Sequence, residues 1–220
     1  IWFGEMYKKK PFFIVFEGVE GCGKSYQSKK LVLNLKKRGI DSILTREPGG
    51  TRSAESIRSL ILKDYFNKKQ KEKFDIYTDT LLYLAARNEH IKNKIKPALK
   101  KKRIVICDRF IDSTIAYQVY GKKVKKSFID NIHKSILRGV KSDITFVLKV
   151  SSKSSKLRLK KRKTKNRYDN FPQSFYTKAQ NSFLKIAKHK KNYFIFDSSA
   201  NNSILEKKIF KIVCKNLKKN

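Results

Sequence analysis

The chain alternates between short runs of apolar residues and longer stretches in which apolar residues return every three or four positions. The short runs are rich in Val, Ile and Phe, which is typical of buried β-strands, and they cover residues 12–17, 41–45, 104–109, 143–150 and 193–197. The longer stretches predict amphipathic helices over residues 27–38, 54–61, 77–100, 128–137, 172–188 and 204–217. Strands that alternate with helices predict an α/β fold with a parallel sheet, and neither a second domain nor an internal repeat is visible.

A phosphate-binding motif follows the first predicted strand directly. The pattern G-x-x-x-x-G-K-S occupies Gly18, Val19, Glu20, Gly21, Cys22, Gly23, Lys24 and Ser25. Its glycines let backbone N–H groups turn towards a phosphate, and the N-terminus of the following helix adds positive potential. Lys24 is placed to reach the β- and γ-phosphates, and the Ser25 hydroxyl is placed to ligate Mg²⁺. Because strand, loop and helix occur in the required order, the motif predicts a nucleoside triphosphate site rather than a plain glycine-rich turn.

The third predicted strand ends in an acidic and a basic residue, Asp108 and Arg109. An apolar strand that closes on Asp is what P-loop proteins use to hold Mg²⁺. A hydrolytic motor usually carries a second carboxylate at the next position, whereas Arg109 suits the binding of a second anion. The second strand likewise runs into a charged segment with Pro-Gly-Gly. Ligands bind at the carboxyl ends of the strands in open α/β sheets, so we expect both segments to line one site.

The charge balance is extreme, with 54 Lys and Arg against 18 Asp and Glu, a formal net charge of +36. Such an excess favours polyanionic partners, that is nucleotides, nucleic acid or anionic membranes. The excess is spread along the chain, so a compositional bias towards Lys, Asn and Ile explains it equally well. We therefore expect at most weak, non-specific nucleic-acid binding.

The remaining composition predicts a single cytoplasmic domain. Three scattered cysteines argue against a disulfide framework, and no apolar run has membrane-spanning length. We expect residues 6–220 to form one domain and interpret residues 1–5, which precede Met6, as a non-native or upstream extension. Cys22 lies near Lys24 at a helix N-terminus, where a thiol pKa is lowered. One hypothesis is therefore a reactive thiolate reachable from the nucleotide pocket, and the alternative is that the loop only needs a small residue at this position.

Four motifs together carry a resemblance to a known family. GVEGCGKS, TREPGGT, LYLAAR and DRFIDSTIAYQ occur in this order, and the chain from residue 12 onwards resembles the thymidylate (dTMP) kinases of the bacterial type. The resemblance implies a P-loop kinase fold, which is a five-stranded parallel sheet flanked by helices with a small lid segment, and a homodimer. It also implies the reaction ATP + dTMP → ADP + dTDP with Mg²⁺.

The resemblance implies roles for individual residues. Arg58 and Arg109 would hold the dTMP phosphate, with Arg109 and Lys24 acting in catalysis and Ser25 and Asp108 holding the metal. The residues implied around the nucleoside are Glu47, Tyr83, Arg87, Thr114, Tyr117 and Gln118. Tyr83 would stack on thymine, Arg87 would hydrogen-bond the base, Thr114 and Gln118 would meet its far edge, and Tyr117 would lie near the deoxyribose. Tyr83 and Arg87 are four residues apart, so they share one face of the predicted helix.

A basic segment of about residues 151–170 corresponds to the family's lid over the ATP phosphates. Some members carry a catalytic arginine inside the P-loop, but this chain has Glu20 in that region. The arginine is therefore expected from the lid, where Arg162 matches best and Arg158 and Arg167 are the reserves. The segment departs from the family in its many lysines and in Asn166, where an acidic residue is usual.

Two other functions fit parts of the chain. Another nucleoside monophosphate kinase would share everything except the base pocket. A nucleic-acid-binding P-loop ATPase would account for the positive charge, but Arg109 argues against it, and so does the absence of aromatic residues among the basic ones of the lid.

Overall fold

The computed structural model describes residues 10–62, 73–161, 171–199 and 202–219. Five strands form one sheet: β1 (Phe12–Glu17), β2 (Ser42–Arg46), β3 (Ile104–Asp108), β4 (Ile144–Lys149) and β5 (Tyr193–Asp197). Every pairing is parallel, and the strand order is β2-β3-β1-β4-β5. The predicted five-stranded parallel sheet is therefore confirmed, with the P-loop strand β1 at its centre.

Nine α-helical segments occur in the described ranges: α1 (Lys24–Lys36), α2 (Arg52–Leu62), α3 (Ile76–His90), α4 (Lys96–Lys100), α5 (Ile111–Thr114), α6 (Lys126–Ile136), α7 (Ser152–Lys160), α8 (Gln173–Ala187) and α9 (Asn202–Lys219). A π-helical segment, Ile91–Ile95, joins α3 to α4, and a second one, Ile115–Gly121, continues α5. None of these helices is both long enough and apolar enough to cross a membrane.

Strand β1 is buried on both faces, which explains its uninterrupted apolar sequence. Successive side chains point to opposite faces, so Phe12, Ile14 and Phe16 pack into one core while Phe13 and Val15 pack into another. The first core includes residues of α1, α8 and α9, and the second includes residues of the π-helical segment after α3 and of α4. Helices cover both faces of the sheet. Side chains that can act chemically are therefore found at its carboxyl edge.

Two helical regions were not predicted. The first is the π-helical segment Ile115–Gly121, which is buried at four consecutive positions, residues 115–118. It therefore shows none of the apolar–polar periodicity that marks a surface helix. The second is α7, in which no residue is buried; its sequence, SKSSKLRLK, is dominated by Ser, Lys and Arg and has no buried apolar face. By contrast, the long helix predicted over residues 77–100 is observed as α3, the π-helical segment and α4 without a break.

Candidate active site

A cavity of about 220 Å³ opens at the carboxyl edge of the sheet. Its lining comes from the P-loop, the ends of β2 and β3, α2, α3, and α5 with the π-helical segment that follows it. All eight residues predicted for the acceptor nucleotide line this one cavity: Glu47, Arg58, Tyr83, Arg87, Arg109, Thr114, Tyr117 and Gln118. Lys24, Ser25 and Asp108 line it as well. The structure thus brings together the side chains on which the sequence prediction depends.

The P-loop has the backbone that its glycines predict. Gly18 and Gly23 both have positive φ, at 138° and 90°, a region that L-residues with a side chain rarely adopt. A Cβ at position 18 would collide with the carbonyl oxygen of Leu148 on the neighbouring strand β4. Glycine at position 18 therefore lets the loop turn close to β4 and lead into α1.

Lys24 and Ser25, the first two residues of α1, contact the P-loop backbone and the end of β3. The Lys24 ammonium is buried and donates to the carbonyl oxygens of Gly18 and Val19 at 3.0 and 2.9 Å. Ser25 Oγ donates to Asp108 Oδ2 at 2.5 Å, which joins the end of the P-loop to the end of β3. A hydroxyl and a carboxylate that converge in this way are the hard oxygen ligands that Mg²⁺ prefers, so the donor set fits the predicted metal.

Arg109, which follows β3, is also held by residues of the P-loop. Its Nη2 donates to Glu20 Oε1 at 2.7 Å, and its Nη1 donates to the carbonyl oxygen of Gly18 at 2.9 Å and to Ser113 Oγ at 3.1 Å. The residue has φ of 75°, an uncommon conformation for a side chain of this size. Glu20 was predicted as part of the triphosphate loop, but its carboxylate pairs with Arg109 and accepts from the Tyr117 hydroxyl at 2.6 Å.

The charges of this cluster support one another. Burial alone would raise the pKa of Glu20, but the positive charges of Arg109 and Lys24 outweigh it and lower the pKa below its usual value. The pKa of Arg109 is raised above its usual value despite burial, because Glu20 and Asp108 lie nearby. Both side chains are therefore charged, and Arg109 presents a fixed cation to the cavity.

Arg87 lies in a second buried cluster with Glu47 and two histidines. Its Nε donates to Glu47 Oε2 at 2.7 Å, and its Nη2 donates to the carbonyl oxygen of Phe110 at 2.8 Å. Its Nη1 lies 2.8 Å from His133 Nε2, and Glu47 Oε1 lies 3.1 Å from His90 Nδ1. Although burial raises the pKa of Glu47, the charge of Arg87 and the contact with His90 lower it below its usual value. This ion pair fixes the end of β2 against α3.

Arg58 extends from α2 into the cavity, and contacts with Pro48 and Glu55 hold its side chain. Its Nη1 donates to the carbonyl oxygen of Pro48 at 2.7 Å, and its Nε lies 4.0 Å from Glu55. Burial and the neighbouring charge of Arg46 lower the pKa of Arg58. Like charges on Arg58, Arg46 and Arg109 around one cavity indicate a site for an anion.

Gln118 is a buried polar side chain of the cavity whose amide has no hydrogen-bond partner among the described residues. It is 1% exposed, and neither its amide nitrogen nor its amide oxygen has a hydrogen-bond partner among the described residues. A buried amide without partners costs free energy, so such a group in a cavity points to a ligand with a matching donor and acceptor. Thr114, one helical turn away, is also buried and lines the same cavity.

The first part of the predicted lid is α7, and it lies on the P-loop. Ser155 Oγ donates to the carbonyl oxygen of Glu20 at 2.8 Å, and Arg158 donates to the carbonyl oxygens of Gly21 at 3.1 Å and Ser198 at 2.6 Å. Arg162 and Arg167, the best match and one reserve for the catalytic lid arginine, lie outside the described residues. Arg158 is committed to backbone carbonyls of the P-loop and of the segment after β5.

The prediction of a reactive, accessible Cys22 is wrong in its accessibility. The side chain is 0% exposed and belongs to the apolar core beside β1. Its place in the core follows from the tight turn at Gly18, which directs the thiol inward against that glycine. The other two cysteines, Cys107 and Cys214, are also buried, and all three are free thiols.

Four residues of the site escaped the sequence analysis. One is His90, whose Nδ1 lies 3.1 Å from Glu47 Oε1. Ser113 accepts from Arg109, Phe110 supplies a carbonyl to Arg87, and His133 contacts Arg87 from α6. Ser113 and Phe110 lie in the motif DRFIDS, whose neighbours Asp108 and Arg109 were the available signal. His133 carried no signal, because its contact with Arg87 spans 46 positions of the chain.

Comparison with known proteins gives one consistent family. A family model described as thymidylate kinase matches residues 16–209. A thymidylate kinase of Wolbachia pipientis wMel is 43% identical over 177 residues, which cover 80% of this chain and 84% of that protein. A thymidylate kinase of Geobacillus sp. (strain WCH70) is 41% identical over 180 residues, which cover 81% of this chain and 83% of that protein. The crystal structure of thymidylate kinase from Ehrlichia chaffeensis is similar with a TM-score of 0.72 at 32% identity, over 93% of this chain and 99% of that chain.

Proposed function

This chain belongs to the thymidylate kinase family, and from that premise we infer that it transfers the γ-phosphoryl group of ATP to dTMP, giving ADP and dTDP, in the cavity at the carboxyl edge of its sheet. The enzyme is a nucleoside monophosphate kinase, and its sheet order places the P-loop beside the strand that ends in Asp108. We propose the roles of the individual residues from their contacts in this cavity.

The unpaired amide of Gln118 is the observation that carries the choice of base. The pairing edge of thymine offers an N–H donor between two carbonyl acceptors, and an amide side chain can meet one donor and one acceptor at once. Arg87 supplies only donors, which suits a carbonyl of the base and not an exocyclic amino group. We propose that Gln118 and Arg87 read the base, with Thr114 beside Gln118 and Tyr83 stacking on the ring.

Arg58 and Arg109 are proposed to hold the phosphate of dTMP. The acceptor is already an anion, so no general base is needed, and catalysis depends on positioning and on neutralising charge. Arg109 fits this role because Glu20 and the Gly18 carbonyl fix its guanidinium. The bond between Glu20 and Tyr117 places the tyrosine next to this phosphate site, which suits contact with the deoxyribose.

The P-loop is proposed to hold the triphosphate of ATP. Lys24 already faces carbonyl oxygens with its ammonium, and it would exchange them for β- and γ-phosphate oxygens. Ser25 and Asp108 would hold Mg²⁺, which when bound neutralises charge on the phosphates. Arg162 is proposed as the lid arginine that meets the transferring phosphoryl group.

Four broader proposals accompany the reaction. We propose that residues 6–220 form one kinase domain with a lid at about 151–170, and that the enzyme is a homodimer. We also propose that it works in the cytoplasm, since its three cysteines are free thiols, and cell fractionation tests this. Nucleic acid is proposed to bind only weakly and without sequence preference.

A coupled assay of ADP release across dTMP, dUMP, dCMP, dGMP and dAMP tests the substrate. We expect dTMP to be the best acceptor and dUMP, which lacks one methyl contact, to lose about 10–200-fold in kcat/KM. Purine monophosphates should give no rate above the acceptor-free background. Arg87→Ala and Gln118→Leu should damage the use of dTMP while the KM for ATP stays near that of the parent. Faster turnover of dGMP or dAMP than of dTMP would overturn the assignment.

A further inference from the structure

Arg87 is fixed by partners on three sides. A guanidinium has five N–H donors in one plane. Nε and Nη2 of Arg87 both lie 2.7 Å from Glu47 Oε2, and Nη2 also donates to the carbonyl oxygen of Phe110. On the remaining nitrogen, Nη1, one hydrogen meets His133 Nε2, and among the described residues no contact uses the other. The side chain therefore has one donor left on the nitrogen that His133 holds.

His133 must be the acceptor in this contact. Arginine has no lone pair to offer, so His133 Nε2 has to be unprotonated, and the proton of the neutral ring is on Nδ1. The residue is 6% exposed on α6. Burial first, and the positive charge of Arg87 second, lower the pKa of His133 to about 4, against smaller opposing effects of Glu47 and Asp130. The histidine is thus neutral at physiological pH, and its Nε2 accepts a hydrogen bond from Arg87.

We propose that His133 is a positioning residue for base recognition, whose Nε2 lone pair holds Nη1 of Arg87 so that the remaining Nη1 hydrogen is left for a carbonyl of the pyrimidine. This inference rests on the proposed function, since it requires that Arg87 binds the base. His133 reaches Arg87 from the side opposite to Glu47, so the two partners hold opposite ends of one rigid plane. Glu47 and the Phe110 carbonyl fix Nε and Nη2, and His133 is the described partner that fixes Nη1.

The role predicts a distinctive kinetic effect. Without the His133 acceptor, neither N–H group on Nη1 of Arg87 has a described partner. The guanidinium is then held less firmly, so the base loses a preorganised contact. The loss should appear in the KM for dTMP and in the choice between pyrimidines, because dCMP carries an amino group where dTMP has a carbonyl. It should leave the KM for ATP unchanged, since no described contact links His133 to the P-loop.

The experiment compares His133→Leu, His133→Gln and Arg87→Ala with the parent. Gln can place an amide oxygen where Nε2 lies, so it preserves the acceptor, whereas Leu keeps bulk and removes it. His189→Leu, at an exposed histidine, is the control for loss of a histidine. We expect His133→Leu to raise the KM for dTMP about 10–100-fold, as for a hydrogen bond to a charged group, with kcat and the KM for ATP near the parent. His133→Gln should recover most of this loss, and in an Arg87→Ala background His133→Leu should have little further effect.

An NMR measurement tests the contact without any assay of activity. Nitrogen-15 spectra of the imidazole should show the His133 ring as the Nδ1–H tautomer in the folded parent, and the tautomer preference should weaken in Arg87→Ala. A ring protonated on Nε2 would overturn the proposal, even if both substitutions damaged folding.

The kinetic outcomes distinguish a failure of the proposed role of Arg87 from a failure of the proposed role of His133. If Arg87→Ala leaves the KM for dTMP unchanged, the role of Arg87 in base binding is wrong and the role of His133 is wrong with it. If Arg87→Ala raises this KM but His133→Leu does not, only the role of His133 is overturned. A uniform loss in kcat and in both KM values for His133→Leu that Gln does not rescue would likewise show a merely structural residue.

Discussion

Glu17 is the last residue of β1, and its carboxylate is completely buried. It accepts from the backbone N–H groups of Phe110 and Ser113, at 2.8 and 3.2 Å, and from Ser113 Oγ at 2.6 Å. Because Ser113 in turn accepts from Arg109, Glu17 supports the segment that carries the proposed phosphate-binding arginine. Burial, with the nearby charge of Asp112 as the second cause, raises the pKa of Glu17 from 4.5 to about 7.

This raised pKa predicts how stability depends on pH. Between pH 4.5 and about 7 the folded protein keeps a proton on Glu17 that the unfolded chain has released, so Glu17 makes folding less favourable as pH rises through this window. Glu17→Gln cannot ionise and keeps an oxygen acceptor for the backbone N–H groups. The free energy of unfolding of Glu17→Gln minus that of the parent should therefore increase by roughly 1–3 kcal/mol from pH 4.5 to 8.

Denaturant unfolding at several pH values measures this gain. Glu206→Gln, at a partly exposed carboxylate on α9, controls for the loss of one negative charge. A difference between Glu17→Gln and the parent that stays constant from pH 4.5 to 8 would show that Glu17 does not titrate in this window.

At the scale of the element, the arginines of the proposed lid segment are expected to have different roles. Arg158 on α7 donates to P-loop and post-β5 carbonyls, so its described contacts hold α7 against the loop. We expect Arg162→Ala to lower kcat by about 10³-fold with little change in the KM for ATP, because a lid arginine meets charge that develops during transfer. Arg158→Ala, the matched control, should instead raise the KM for ATP by loosening the P-loop.

Steady-state kinetics of Arg158→Ala, Arg162→Ala and Arg167→Ala decide between these arginines. A large loss of kcat in Arg158→Ala or Arg167→Ala, with Arg162→Ala mild, would show that the alignment of the lid motif is wrong. Lysine at position 162 is a useful intermediate, since it keeps the charge but lacks the planar fork of arginine.

The elements that could be predicted from the sequence are those with a clear period. Strand β1 and the helices from Ile76 to Lys100 show their burial in their apolar spacing. The family resemblance carried by the four motifs identified eight residues that line one cavity. The segment Ile115–Gly121 and helix α7 could not be predicted, because one is buried at consecutive positions and the other has no buried residue. His133 could not be assigned to the site, because a helix pattern gives a buried face and not the side chain that this face will contact.

The oligomeric state belongs to the scale of the whole molecule. Leu81 is 46% exposed on α3, and Ala85, one turn further, is also exposed, while Tyr83 and Arg87 of the same helix line the cavity. A homodimer that covers this apolar face would brace the helix that carries the proposed base-binding residues. Light scattering should give the mass of two chains instead of one chain of 25.8 kDa.

Charged variants locate this interface. Leu81→Glu should shift the mass to that of a single chain, whereas Leu33→Glu, at an equally exposed leucine on α1, should leave it unchanged. A parent protein that has the mass of one chain at all concentrations would contradict the dimer, and a shift in Leu33→Glu alone would place the interface elsewhere.

Part of the net charge of +36 lies on two helices that pack together. Helices α1 and α9 pack side by side, and between them they contain one acidic residue, Glu206. Exposed lysines at 207, 211, 215 and 218 lie four, four and three residues apart, so they form one stripe along α9. A stripe of this kind can follow a phosphate backbone, although it reads no base.

We therefore expect weak binding of DNA and RNA that is concentrated on α9 and independent of sequence. Replacing Lys207, Lys211 and Lys215 with Gln should weaken binding more than replacing Lys100, Lys101 and Lys102, although both variants lose three charges. If all three α9 lysines contact phosphates, the slope of log K against log salt should fall by about 0.9 for each lysine removed. Fluorescence anisotropy with duplexes of unrelated sequence, from low to physiological salt, measures both quantities, and phosphotransfer should not respond to added nucleic acid. Equal losses in the two triple variants would show that the charge acts diffusely, and salt-resistant binding of one sequence would mean that a specific nucleic-acid site exists.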